Sequence, residues 1–198
     1  NLGVAVAAPT QTTGFTGVAN HAAAFARASS QGLYISDAAQ SGLDFSTGLT
    51  IACRAKFTAL NDGNYYALVV KEGASGNYSY SLALNSAGKA FFRVSFDGIS
   101  LAKIVTGSTT LTAGVWYSIV GVFDGSTVSI FVNNASDATP VSAVGTVFNS
   151  TADFMVGCSG VARNANCMGG SIDDVAVWSR ALDSTERAAL YALVDNFG

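Results

Sequence analysis

The chain has 198 residues, 49% of them hydrophobic, enough to bury a full core as one domain. Charged residues make up only 12%, well under the roughly 25% usual in soluble domains, and the net charge is -3. The ten lysines and arginines are scattered singly, which leaves no stripe for nucleic acid and no patch for anionic lipid. A surface built from Ser, Thr, Asn, Gly and Ala suits an uncharged partner such as a glycan, or close contact within an assembly. No apolar run approaches the roughly 20 residues of a membrane span, so no membrane insertion is expected.

Residues 1–21 are rich in Thr, Gly and Ala and read as an N-terminal arm or an added edge strand, ahead of a single domain over residues 22–198. The first nine faintly resemble the end of a signal peptide but lack a basic region. A chain that opens on Asn1 reads as a processed product or a piece of something longer. From Ala22 onward short apolar runs are separated by turn residues every eight to twelve positions or so, the pattern of an all-β protein. Strands are expected at residues 33–35, 50–57, 65–71 and 78–84, then 90–96 and 99–105 around Asp97-Gly98. A second pair, 116–123 and 128–132, brackets Asp124-Gly125, and Asp-Gly between alternating runs is a strong hairpin signal. The runs 154–157 and 171–178 close the set. In the second strand, alternation puts Ile51, Cys53, Ala55 and Phe57 on one face.

The last strand places Asp173, Val175 and Val177 on one face and Ile172, Asp174, Ala176 and Trp178 on the other. A carboxylate aligned with two valines is costly to bury alone, so a cation or several N–H donors should stand beside it. Asp183 precedes Glu186 by three residues, the spacing of a capping box, and a helical run follows from Arg187 to Val194.

The segment from Gly169 to Leu190 resembles the C-terminal signature of concanavalin A-like, laminin-G-like jelly-roll domains. Residues 113–134 are similar to that family's hairpin of the form Gly-x-Trp, Asp-Gly, Tyr-Val-Asn-Gly, with Asn134 in place of the turn glycine. Phe25 to Asp37, then Leu43-Asp44-Phe45 and Leu49-Thr50-Ile51, are similar to its opening strands. The likeness runs over residues 22–192. It implies an all-β, concanavalin A-like jelly-roll β-sandwich of two antiparallel sheets with one short C-terminal helix. It also implies a structural Ca²⁺ at Asp173, the position that matches the family's last-strand aspartate, completed by backbone carbonyls near the chain start. Ala26-Arg27 stands where many members have Asp-Gly, which removes one ligand position. Otherwise Asp173 accepts backbone N–H groups or pairs with an arginine such as Arg180.

Catalysis finds no support. Retaining glycoside hydrolases need carboxylates about 5 Å apart, and hydrolases of this fold carry them as Glu-x-Asp-x-x-Glu. The chain has two glutamates, Glu72 and Glu186, neither in such a motif, and Asp173 and Asp174 point to opposite faces. His21 is the only histidine, and no Ser-His-Asp or Cys-His arrangement is evident.

Cys158 and Cys167 flank a polar loop between two strands expected to be neighbours and would form a disulfide, while Cys53 reads as a buried free thiol. A disulfide favours an extracellular, cell-surface or virion setting. Sugar recognition needs an aromatic face with amides or hydroxyls nearby. The candidates are Asn61, Asp62 and Asn64 beside Tyr65 and Tyr66, Asn77 beside Tyr78, and Arg163, Asn164 and Asn166 in the cysteine-flanked loop. One of Tyr65 and Tyr66 should be exposed, since consecutive strand residues face opposite ways. Trp116 and Trp178 read as sandwich core. Two roles follow. One is a non-catalytic adhesion or recognition module, a lectin in effect, binding glycans or a surface protein. The other is a structural subunit of a virus particle (a decoration or tail protein) or extracellular array, a homo-oligomer or a neighbour to other subunits.

Overall fold

A computed structural model describes residues 3–4, 7–60, 62–100 and 103–193, so the expectations placed on Asn61 and Val194 lie outside the described residues. The strands, in chain order, are β1 (Gly3–Val4), β2 (Thr10–Thr12), β3 (Ala22–Phe25), β4 (Leu33–Ile35) and β5 (Leu49–Phe57). Next come β6 (Tyr66–Glu72), β7 (Tyr78–Leu84), β8 (Lys89–Val94), β9 (Lys103–Thr110), β10 (Trp116–Phe123) and β11 (Thr127–Val132). The short β12 (Ala135–Ser136) and β13 (Val141–Ser142) precede β14 (Phe154–Val156), β15 (Gly170–Trp178) and helix α1 (Ser184–Ala192).

Two antiparallel sheets result. One has the order β1-β4-β14-β6-β7-β8-β9; the other runs β12-β11-β10-β5-β15-β3-β2, with β13 also on β11. Period-two alternation fills the space between them. Ile51, Cys53, Ala55 and Phe57 of β5 meet Tyr80, Leu82 and Leu84 of β7 and Phe92 of β8 in the main core. Gly121 of β10 has no side chain because the Phe92 ring occupies its place: a Cβ there would lie 2.4 Å from the ring. Lys71, fully buried, is matched by Asp37 at 2.7 Å and Asp44 at 2.8 Å, which ties the segment before β5 to the first sheet.

Four expectations are revised. First, β14 and β15 lie in different sheets, so the cysteine-flanked loop is not the turn of a hairpin between them. It closes on itself instead, through the Cys158–Cys167 disulfide and a bridge between Ser159 and Ala165. The chain-entropy contribution of so short a ring is about 2–3 kcal/mol. Second, both tryptophans sit on the outer side of the second sheet. Trp116 packs edge-on to Phe15, and Trp178 lies with Leu190 under α1. Third, a bulge between Asp173 and Ala176, with Asp174 at φ 48°, breaks the alternation of β15. Ile172 is the residue in the main core, Val177 packs against that core beyond the bulge, and Asp173 stands opposite Arg54. Fourth, the helix begins directly after its cap, three residues earlier than the apolar run suggests. The N-terminal arm divides between the sheets: β1 joins β4, and β2 edges β3. Among the described residues no helix is long and apolar enough to cross a membrane.

Candidate functional site

The alternation that turns Tyr80, Leu82 and Phe92 inward turns Ser81, Ala83, Phe91 and Arg93 outward, beside Ala67, Val70 and Glu72 of β6. Ala67, Ser81 and Ala83 are small, so the outer face of the first sheet dips there. Three walls surround the dip. On one side Tyr65 is 49% exposed, its ring edge-on to Phe91 at 6.2 Å between centroids. Opposite, Arg93 donates two hydrogen bonds to Glu72, Nε to Oε1 and Nη2 to Oε2, both at 2.8 Å. The third wall is the disulfide-closed loop, whose Asn166 carbonyl accepts the Ala67 N–H at 2.8 Å. The Asn166 amide nitrogen donates to Ser159 Oγ at 3.0 Å. The enclosed volume is only about 20 Å³, so a ligand would lie on this face rather than enter it.

Tyr66 turns inward, as its neighbour's exposure requires. Its hydroxyl donates to Asp62 Oδ1, Asp62 also accepts the Asn64 N–H, and the Arg27 guanidinium lies 4.7 Å over its ring. The Tyr66 hydroxyl holds the Asp62 carboxyl below its ordinary range. Burial, then the bond to Asp62, pushes the Tyr66 phenol up to about 12. Asp62 and Tyr66 thus shape the loop that presents Tyr65, and Asn64 is exposed on it. Arg163 pairs with Asp153 at 2.6 Å and stacks 3.7 Å over Tyr34, which fixes the disulfide-closed loop; Asn164 is exposed on that loop. Asn77 has another task. Its side-chain oxygen accepts the Thr151 N–H and its carbonyl accepts the Gly73 N–H, pinning a turn.

Of the sequence candidates, Tyr65 and Asn166 border the dip directly. Glu72 and Arg93 were missed. They lie on β6 and β8, two strands apart, with β7 between them, and only the sheet order brings them together.

The Asp173 carboxylate is engaged by backbone donors. Oδ2 accepts the Phe15 N–H and Oδ1 the Asp174 N–H, each at 2.9 Å, and the adjacent Asp174 pairs with Arg54 at 2.8 Å. Ca²⁺ wants six to eight oxygen ligands. The described residues contain no group of three or more His, Cys, Asp or Glu placed to hold a metal. Arg180 pairs with Glu186 rather than with Asp173.

A larger hollow of about 480 Å³ opens between the sheets, walled by Phe25, Leu33, Ile35, Phe154 and Val156, with His21, Asp173 and Asp174 at its polar end. Away from that end the walls are apolar, and a sugar hydroxyl buried against them without a partner is costly.

A family model described as the concanavalin A-like lectin/glucanases superfamily matches residues 20–186. The chain belongs to that superfamily. No curated protein matches this member of it. Domain 4 of AbnA, an extracellular arabinanase from Geobacillus stearothermophilus solved with arabinotriose, is similar in structure. It is 15% identical, with 96% of this chain and 81% of that one covered and a TM-score of 0.62. The ligand-binding domain of botulinum neurotoxin serotype D, solved with N-acetylneuraminic acid, is 10% identical. There the match covers 96% of this chain and 46% of that one, under half of its length, with a TM-score of 0.69. The CBM40 of a Ruminococcus gnavus IT-sialidase, bound to sialyllactose, is 16% identical, covers 75% and 84%, and has a TM-score of 0.58. At these identities the likenesses show the fold.

Proposed function

We propose that this domain is a non-catalytic glycan-binding module of an extracellular or surface protein, and that it binds through the outer face of the seven-stranded sheet at Tyr65. The observation that carries the reading is an exposed tyrosine ring at the side of a floor of small residues that hydrogen-bonding groups also border. A sugar ring has an apolar C–H face that lies against an aromatic ring, while its edge hydroxyls need donors and acceptors beside it. Ser159, Asn166, Glu72 and Arg93 supply both kinds. Three neighbours of the same fold were solved with sugars, which favours this reading of the superfamily over a catalytic one.

The test is a glycan array on the isolated domain, followed by titration of the best hit against wild type and Tyr65→Ala. Binding should fall at least about tenfold in the variant, equivalent to about 1.4 kcal/mol. The melting temperature should hardly move, since half the ring is in solvent. Undiminished binding by Tyr65→Ala would remove the site. The low charge, with Val144 and Val161 about three-quarters exposed, favours the other reading, a subunit that packs in an array or virus particle. Silence on the array together with stable oligomers would put that role first.

A further inference from the structure

Provided that the Tyr65 face binds glycans, we infer that it selects neutral sugars over acidic ones and that the Glu72–Arg93 pair reads their hydroxyls. Among the described residues that line the dip, Arg93 is the one cation, and the arginines at its rim are already engaged. Arg93 holds both oxygens of Glu72, Arg163 holds Asp153, and Arg27 donates to the Tyr65 carbonyl with Asp62 beside it. Within the dip the charge of Arg93 is cancelled by Glu72. A sugar carboxylate arriving in the dip finds only Arg93 among the lining residues, and to gain that group it must displace a bidentate carboxylate that is already in place and of its own sign. Charge-assisted bonds of that geometry are among the strongest a side chain makes.

A hydroxyl meets no such barrier. Two of the five guanidinium N–H groups of Arg93 are used by Glu72, and each Glu72 oxygen keeps lone-pair capacity beyond the bond it accepts. One sugar hydroxyl can therefore accept from Arg93 while another donates to Glu72, with the pair intact. Glu72 is buried and the Arg93 side chain is only 20% exposed, so both groups are held at fixed positions. The pair acts on binding by presenting a donor and an acceptor side by side, across the dip from the Tyr65 ring.

The experiment uses an array with neutral glycans and glycans carrying uronic or sialic acids, read at low and at 0.5 M sodium chloride, for wild type, Glu72→Gln and Tyr65→Ala. Wild type should bind neutral glycans alone, with affinity the same at both salt concentrations. Glu72→Gln keeps the shape but frees the guanidinium. It should lose about tenfold on the neutral hit and gain acidic glycans, and that gain should vanish in high salt. Unaltered melting would show that the change is in recognition. Acidic hits with wild type that Tyr65→Ala abolishes would overturn the selectivity and leave the site standing. A Glu72→Gln variant indistinguishable from wild type would overturn the role of the pair. Failure of Tyr65→Ala to weaken any hit, or an array without hits, would overturn the underlying glycan-binding reading and this inference with it.

Discussion

Asp173 shows how far one side chain's meaning depends on what lies across from it. Its carboxylate, 7% exposed, holds the turn at residues 14–18 to the last strand by accepting the Phe15 N–H, and a Cβ on Gly14 would lie 2.5 Å from that same oxygen. Asp173→Ala should cost about 1–3 kcal/mol, because it strands a backbone donor at a partly closed site. With both carboxylate oxygens accepting N–H groups, chelator should leave the wild-type melting curve where it is; a drop in melting temperature would instead support calcium at this position. Cys53 is the complementary case. Burial pushes its thiol up to about 12, and the residue acts as a small apolar side chain.

Elements whose rules are local were legible in the sequence. Asp183 accepts the Glu186 N–H at 2.9 Å while Glu186 accepts the Asp183 N–H at 3.0 Å, the reciprocal box that the three-residue spacing predicts. Asp183→Ala should cost about 0.5–2 kcal/mol in denaturant unfolding. Glu186 adds a pH signature. Bonds from Arg180, then the Asp183 N–H, lower its carboxyl from 4.5 to about 2. Since the folded value is the lower one, its contribution is present above pH 4.5 and is lost as pH falls toward 2. The difference in melting temperature between wild type and Glu186→Gln should narrow over that window and close below it. The Asp97 turn shows where local reading falls short. The aspartate accepts the Ile99 and Ser100 N–H groups as a turn aspartate should, yet β8 ends at Val94 and β9 starts at Lys103, a connection longer than Asp-Gly signals.

At the scale of the molecule, the two sheets are fitted to one another at Gly121. The Phe92 ring fills the space that any side chain at that position would take, so Gly121→Ala must push a core ring or a whole strand. About 1–3 kcal/mol of destabilisation is expected, read as a lower denaturation midpoint with an unchanged slope. The same sheet order that sets Phe92 over Gly121 also turns Phe91 and Arg93 to the other side of β8 and lays them beside Glu72 and Tyr65.

Alternation, turn residues and the capping box are set by neighbours a few positions apart, and they determined the all-β class, most strands, the inward faces and the capped helix. Which of Tyr65 and Tyr66 meets solvent followed only once the strand was placed in its sheet. The Glu72–Arg93 pair spans two non-adjacent strands, the tryptophans found their cover under α1 and against Phe15, and the bulge at Asp174 turned Asp173 away from Val177. Each of these depends on strand order and register between distant segments, which pairing across the sheet decides and spacing along the chain does not.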